Sequence, residues 1–233
     1  MSEAVRPSAL RPLADALWVA DRPFRAIPFF DIGTRMTVVR TPDGGLVLHS
    51  PVEADAATRA AVAALGPVRA IVAPNRVHHL YAGAWKEAHP AAQLLGAPGL
   101  AEKRRDLAFD GVLGDDPDSS LGGVFATHWM RGAPHLSEVA FLHRPSRTLL
   151  LTDLAFHPTP ASSAGLRRWT WLTRVRDGFG PNLVVRLVIR DRAALRASLD
   201  HVLGWDFDRV TLTHGDVLES GGRDAFRRAW AWL

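Results

Sequence analysis

The chain has 233 residues, of which 47% are hydrophobic and 22% charged, and its formal net charge is +4. This composition is typical of a globular protein, and we expect residues 1–233 to form a single domain. The absence of cysteine excludes disulfides and thiolate ligands, so any metal must be held by His, Asp or Glu. No apolar stretch is long enough to span a membrane, and residues 1–12 lack a signal-peptide core, so we expect a cytoplasmic protein with no membrane partner. The basic residues are scattered along the chain, which does not favour nucleic-acid binding.

Apolar runs and turn signals predict strands that alternate with helices. The predicted strands are Leu17–Ala20, Thr37–Arg40, Leu46–His49, Val68–Ala73, Ala92–Gly96, Val124–Met130, Glu138–His143, Thr148–Thr152 and Val210–Thr213. The predicted helices are Ser50–Leu65, Ala82–His89, a brief helix beginning at Pro98–Leu100, a helix within Pro158–Gly180, Asp191–Leu203 and Arg223–Trp232. The first of these begins at Ser50 because Ser50-Pro51-Val52-Glu53 matches a capping box. Hairpins and β-α-β units in one chain predict mixed sheets covered by helices.

Two segments are predicted to be less regular. Gly111–Gly123 is rich in Gly, Asp and Ser and is predicted to be a loop. The helical part of Pro158–Gly180 carries a stripe of basic and aromatic residues, namely Arg167, Arg168, Trp169, Trp171 and Arg174. Such a stripe could line a pocket entrance, contact a membrane surface or form a dimer, although tryptophans more often pack a helix on its own domain.

Three of the predicted strands are followed by side chains that can bind a metal. His78 and His79 come just after the strand Val68–Ala73, and Asp153 and His214 directly follow two later strands. Polar groups at the carboxyl ends of strands often meet in one crevice. We therefore expect the four side-chain heads to lie within about 8 Å of one another, as ligands of one ion would. Each has a structural alternative, since the histidine pair could begin a helix and the other two could be turn residues.

These segments resemble the metal-binding motifs of the metallo-β-lactamase superfamily. That family carries a Thr-His-x-His-x-Asp-His run after a strand, followed by a downstream His, an Asp and a final His. Here His78-His79 stands at the Asp-His position, and the later positions match Pro134–Glu138, Leu151–Leu154 and Thr213–Asp216. The resemblance runs from about Leu17 to the C-terminus and is to a degenerate branch of unknown function. It implies the α/β class and an αββα sandwich of two mixed β-sheets flanked by helices, with a metal cleft along one edge.

The chain departs from the family motif at its first two histidines. Depending on the alignment, their places hold Asn75 and Val77 or Pro74 and Arg76, and His49-Ser50 replaces an early Asp. The resemblance therefore implies one divalent ion rather than two. Imidazole and carboxylate ligands suit zinc best here, with iron or manganese as alternatives. The ligands it implies are His78, His79, His135, Asp153 and His214, with Asp153 as the catalytic carboxylate, while Asn75, Glu138 and His157 would surround them or line the substrate pocket. In this arrangement Glu138 would orient a ligand histidine. The alternatives are that Glu138 simply starts a strand, that His157 lies in a surface loop and that His135 is a turn residue.

These features predict a metal-dependent hydrolase-like protein that acts on a small ester, lactone, amide or phosphoester through a metal-bound water. The expected partner is a small-molecule substrate, selected by the segments Gly111–Gly123 and Pro158–Gly180. Two alternatives stay open. The degraded motif favours a non-catalytic protein of the same fold that binds a ligand or another protein, and an iron-dependent oxidoreductase could use the same cleft.

Overall fold

The computed structural model describes residues 9–25, 30–175 and 178–233. Within these ranges the strands are β1 Arg11–Ala14, β2 Leu17–Arg22, β3 Thr34–Arg40, β4 Leu46–His49, β5 Val68–Ala73, β6 Gln93–Gly96, β7 Gly111–Val112, β8 Phe125–Trp129, β9 Val139–His143, β10 Thr148–Leu150 and β11 Arg209–Thr211. The α-helices are α1 Ala56–Leu65, α2 Ala82–Ala88, α3 Leu100–Lys103, α4 Ala164–Leu172, α5 Leu183–Leu187, α6 Arg192–Leu203 and α7 Gly222–Ala229. None of these helices is long and apolar enough to cross a bilayer.

The strands form two mixed sheets. The seven-stranded sheet has the order β1-β2-β3-β4-β5-β6-β7, antiparallel as far as β4 and parallel from β4 to β7. The four-stranded sheet has the order β11-β10-β9-β8, in which only the β10–β11 pair is parallel. Each sheet therefore contains one set of parallel strands whose carboxyl ends point to the same edge.

Three apolar clusters show how these sheets and the helices are layered. One face of the seven-stranded sheet packs against α1, α2 and α3, as Ile71 does with Val62 and Trp85. The other face packs against the four-stranded sheet through side chains such as Val72 and Phe141. Ile71 and Val72 are neighbours in β5 and point to opposite faces, which is the two-residue alternation of a strand buried on both sides.

The outer face of the four-stranded sheet packs against α4, α6 and α7, where Leu149 shares a cluster with Leu166, Leu199 and Phe226. The order of layers is helix, sheet, sheet, helix. This confirms the predicted αββα sandwich of two mixed β-sheets.

Several element boundaries differ from the predictions. The capping-box prediction at Ser50 is wrong, because Ser50 has a left-handed φ of 54° and α1 begins later, where the side chain of Asp55 accepts a hydrogen bond from the N–H of Thr58. Gly111–Gly123 was expected to be a loop, yet it contributes β7 and a 3₁₀ turn at Ser119–Leu121. The strand β1 and the helix α5 were not predicted. They have only four and five residues, which is too short for a periodic apolar pattern to be recognised.

The Arg/Trp stripe on α4 has two different environments. Trp169 is partly buried and its ring lies 5.9 Å from that of Phe30. Trp171, two residues later, is 78% exposed. The packing interpretation therefore holds for Trp169 and is wrong for Trp171. Arg176 and Asp177, at the end of the same predicted segment, lie outside the described residues.

Candidate metal centre

The carboxyl ends of four strands from the two sheets meet at one edge of the sandwich. The parallel neighbours β4 and β5 deliver Ser50 and the turn that carries His78. The parallel neighbours β10 and β11 deliver Asp153 and His214 in the same way. Among the described residues, His78, Asp153 and His214 form one group that could hold a metal ion, with all ligand atoms within 4.8 Å of one another.

The distances within this cluster match a metal coordination shell. Nε2 of His78 lies 3.2 Å from Nε2 of His214 and 3.3 Å from Oδ2 of Asp153. Nε2 of His214 lies 3.5 Å from Oδ1 of Asp153. Ligand atoms held about 2.0–2.1 Å from a tetrahedral zinc ion are about 3.3–3.4 Å apart. The three side chains are therefore spaced as they would be around one ion.

The hydrogen-bond partners of Nδ1 in His78 and His214 also agree with metal binding by the Nε2 atoms. Nδ1 of His214 lies 2.7 Å from the carbonyl oxygen of Gly33, so this nitrogen donates and carries the ring proton. In the neutral ring Nε2 then has a lone pair. Nδ1 of His78 lies 3.1 Å from Oγ of Ser50, which can accept in the same manner. With both rings in this tautomer, two Nε2 lone pairs would face each other at 3.2 Å and could bind one cation between them, and backbone or side-chain partners at Nδ1 are usual for metal-binding histidines.

Asp153 supplies the negative charge of the cluster. It is 9% exposed, and Nδ2 of Asn75 donates to its Oδ2 at 2.6 Å. Burial alone would raise the pKa of Asp153, but His78 and His214 beside it lower that pKa, and the net pKa lies well below the usual range. A buried carboxylate that stays charged next to two imidazoles is a suitable anchor for a divalent cation.

Asn75 connects the two sides of the cluster. Its Nδ2 also donates to Oγ1 of Thr152 at 2.8 Å, while its Oδ1 accepts from the backbone N–H groups of Val77 and His78 at 2.8 and 2.6 Å. The side chain is fully buried. It therefore fixes the turn that carries His78 relative to the carboxylate of Asp153.

Glu138 holds the backbone of the second turn. Its buried carboxylate accepts from the N–H groups of Thr152, Asp153 and Leu154 at 2.7, 2.8 and 3.1 Å. Burial, and then the nearby charge of Asp153, raise the pKa of Glu138. Glu138 thus positions Asp153. Within the described part of the chain its carboxylate also accepts from Nδ2 of Asn75 at 3.4 Å, and these hydrogen bonds do not reach the ligand histidine that it was expected to orient.

The structure does not bring His79 or His135 into the cluster. Nδ1 of His79 lies 2.8 Å from Nη1 of Arg104, and because arginine can only donate, the ring proton of His79 is on Nε2. Burial, and then the charges of Lys103 and Arg104, lower the pKa of His79 to about 4, so the ring is neutral. His135 is exposed on the turn before β9.

His157 lies beside the cluster and supports its last turn. Its Nδ1 is 2.9 Å from the carbonyl oxygen of Asp216, just past His214. The intervening Gly215 has a φ of +113°, and a Cβ there would stand 2.4 Å from the carbonyl oxygen of His157. Glycine at this position allows the turn after β11 to pack against His157.

Two contacts of the cluster were missed in the sequence, those made by Ser50 and by the carbonyl of Gly33. Ser50 directly follows a predicted strand, as Asp153 and His214 do, so the same rule could have placed it at the cluster. The capping-box pattern led instead to its interpretation as the start of a helix. The contact of Gly33 is made by its backbone carbonyl, which every residue has, so the residue type could not predict it.

A cavity of about 670 Å³ opens onto the cluster, and His78, Asp153 and His214 lie in its wall. Most of the remaining wall is apolar, with buried side chains such as Ile32, Phe156 and Val185. His79 also lines it. Three protein ligands with one side open to a cavity is the pattern of a catalytic metal site, because structural sites are closed by a fourth ligand.

The comparisons with known proteins agree with this architecture. No protein-family model and no curated protein sequence matches the chain. Its structure is similar to that of a metallo-β-lactamase from Erythrobacter litoralis, with a TM-score of 0.66, 13% sequence identity and coverage of 96% of both chains. It is also similar to a metallo-β-lactamase from Pontibacter korlensis, with a TM-score of 0.64, 12% identity and coverage of 95% of this chain and 96% of that one.

A third similar structure is the metallo-β-lactamase FIM-1 from Pseudomonas aeruginosa in its mono-zinc form. Its TM-score is 0.64 at 10% identity, and the match covers 96% of this chain and 94% of that one. At such identities the likeness concerns the arrangement of strands and helices. The two mixed sheets, their flanking helices and the cluster at the strand ends all agree with it, and the chain has the metallo-β-lactamase fold.

Proposed function

We propose that this protein is a metal-dependent hydrolase-like enzyme that acts on a small ester, lactone, amide or phosphoester. The observation that carries the proposal is the cluster of His78, Asp153 and His214, whose ligand atoms are 3.2–3.5 Å apart in the wall of a cavity. A divalent ion held there would act as a Lewis acid on a carbonyl or phosphoryl oxygen and would activate water.

The side chains of the cluster have distinct roles in this proposal. His78 and His214 offer imidazole nitrogens, and Asp153 offers the charge that holds a cation in a largely buried site. Asn75 and Glu138 keep Asp153 in place through its side chain and its backbone. The apolar wall excludes bulk water from the substrate, which strengthens electrostatic interactions in the site.

One zinc ion is the proposed occupant. The donor set of two imidazoles and one carboxylate is found in catalytic zinc sites. Only one such group of three occurs among the described residues, and His79 is engaged with Arg104 instead. The structural similarity to a metallo-β-lactamase in a mono-zinc form is consistent with a single ion.

Metal content tests the first half of the proposal. Protein prepared with zinc, manganese or iron is analysed by elemental mass spectrometry, alongside His78→Ala, His214→Ala and the control His135→Ala. We expect one equivalent of zinc in the wild type and in His135→Ala, because that histidine is exposed and outside the cluster. Both cluster variants should lose the metal. Full zinc occupancy in His78→Ala would show that the ion binds elsewhere.

Turnover tests the second half. Zinc-loaded protein is screened on lactones, carboxylic and thioesters, and phosphodiesters, and the best substrate is then used with Asp153→Asn. We expect the rate to fall by about two orders of magnitude, the usual effect of losing a key electrostatic group. A protein that binds one zinc but turns over no substrate would instead support the non-catalytic alternative. That alternative is favoured by the absence of His79 and His135 from the cluster.

A further inference from the structure

The wall of the cavity distinguishes between the substrate classes named above. On the basis of the proposed function, we infer that the substrate is a neutral carboxylic ester or lactone with a large hydrocarbon group. The cluster would face the ester bond, and the hydrocarbon would occupy the apolar part of the cavity. Cavities of about 300–1,000 Å³ bury most of a small organic ligand, and the volume here is about 670 Å³.

The charges around the cavity argue against an anionic substrate. Lys103 is the one lysine or arginine in the wall within the described part of the chain. Its Nζ already donates to the carbonyl oxygen of Arg76 at 2.6 Å. Sites for phosphoesters normally present arginine or lysine groups that clamp the phosphate oxygens. A neutral ester needs no such clamp, and it leaves no charge unpaired against an apolar wall.

The mouth of the cavity is apolar as well. Val77, Leu80 and Val184 line the cavity, yet they are 46%, 57% and 46% exposed. Clustered exposed apolar side chains often mark a binding site. These three come from two separate segments, the turn after β5 and the helix α5, and both segments line the same cavity. A hydrocarbon group entering the cavity would cover them and remove that surface from water.

Chain length in a series of substrates provides the test. The kcat/KM of zinc-loaded protein is measured on p-nitrophenyl esters from acetate to decanoate, so that only the acyl group changes. We expect kcat/KM to rise by about fourfold for each methylene until the cavity is filled, the gain that corresponds to burying one CH₂ group.

Matched variants show whether this gain comes from the cavity. Val184→Asp should reduce the gain, whereas Leu187→Asp should not, because Leu187 lies on the same helix and is 68% exposed outside the cavity. Leu80→Asp and Val112→Asp form a second pair, since both residues are exposed and only Leu80 lines the cavity. Exposed positions are chosen so that the variants fold, which thermal melting verifies.

A binding assay separates this inference from the proposed function. The neutral fluorophore N-phenyl-1-naphthylamine is titrated into metal-free protein and displaced with octanol. Displaceable binding that Val184→Asp weakens by at least tenfold, without any esterase activity, would support the apolar ligand while the hydrolase proposal fails. Esterase activity that is independent of chain length and equal in Val184→Asp and Leu187→Asp would overturn the inference while the hydrolase proposal stands. Absence of both binding and activity would overturn both.

Discussion

Replacing Asn75 with alanine should destabilise the protein strongly, because one buried side chain joins the two halves of the cluster. Its Nδ2 donates to Oγ1 of Thr152 and Oδ2 of Asp153, and its Oδ1 accepts from the N–H groups of Val77 and His78. Alanine removes these four bonds and also a longer contact of 3.4 Å from Nδ2 to Oε2 of Glu138. It also leaves the two backbone N–H groups and the carboxylate without these partners inside the protein.

The expected loss follows from these four bonds. Three of them join neutral groups and contribute about 1 kcal/mol each, and the bond to the charged Asp153 contributes about 2 kcal/mol. The free energy of unfolding of Asn75→Ala should therefore fall by about 5 kcal/mol. For a chain of this length, this corresponds to a decrease in Tm of roughly 10–20 °C. If zinc binds at the cluster, its affinity should also fall by about 10–100-fold, as when other partners of metal ligands are removed.

Urea unfolding of metal-free protein at pH 7, followed by circular dichroism, measures the loss. Asn182→Ala is the matched control, because Asn182 is also buried but caps α5 with a single bond from the N–H of Val185 at 2.9 Å. That control should lose about 1 kcal/mol. If Asn75→Ala loses no more than Asn182→Ala, the four contacts do not stabilise the fold and the account of Asn75 as a connecting residue is refuted.

Three further predictions concern other parts of the molecule. Burial lowers the pKa of His143 to about 4 in the folded protein. Above pH 6.5 the ring is neutral in both the folded and the unfolded chain. As the pH falls from 6.5 to 4, only the unfolded chain gains the proton. This should remove up to about 3 kcal/mol of stability, measured by urea unfolding across this range, and His143→Asn should show a smaller decrease. Gly215→Ala should lower the free energy of unfolding by at least about 2 kcal/mol more than Gly44→Ala, as measured by urea unfolding. Both glycines have a positive φ, but only at Gly215 would the added Cβ lie 2.4 Å from a carbonyl oxygen. Equal losses for the two variants would contradict this. His79→Ala should retain zinc, as measured by elemental analysis, and loss of the metal would return His79 to the ligand set.

The sequence predicted the fold best where a local signal and the tertiary environment agree. The strand β5 and the helix α6 have the predicted boundaries, and α6 begins after Asp191 and ends before Gly204 as expected. At Ser50 the two disagree. The local pattern is a capping box, but the residue follows the parallel strand β4 and turns towards His78 in a left-handed conformation. A capping signal measures local preference only, and tertiary contacts override it here.

The candidate site shows the same division. The rule that strand ends converge predicted that His78, Asp153 and His214 would meet, and the structure places them together. This rule could not show which of His78 and His79 enters the cluster. Both follow the same strand, so the rule applies equally to each, although adjacent side chains on a turn point in different directions. The partner that decides between them is Arg104, the residue that follows α3, and no pattern in the sequence links it to His79.

The cluster bridges the seam between the two sheets. His78 follows a strand of the seven-stranded sheet, and Asp153 and His214 follow strands of the four-stranded sheet. An ion bound by these three side chains would cross-link distant parts of the chain, since His78 and His214 are 136 residues apart. The sheets could then part only after a ligand had left the ion. Amide hydrogen exchange in β5 and in β10 would slow together when zinc is added, although each strand belongs to a different sheet.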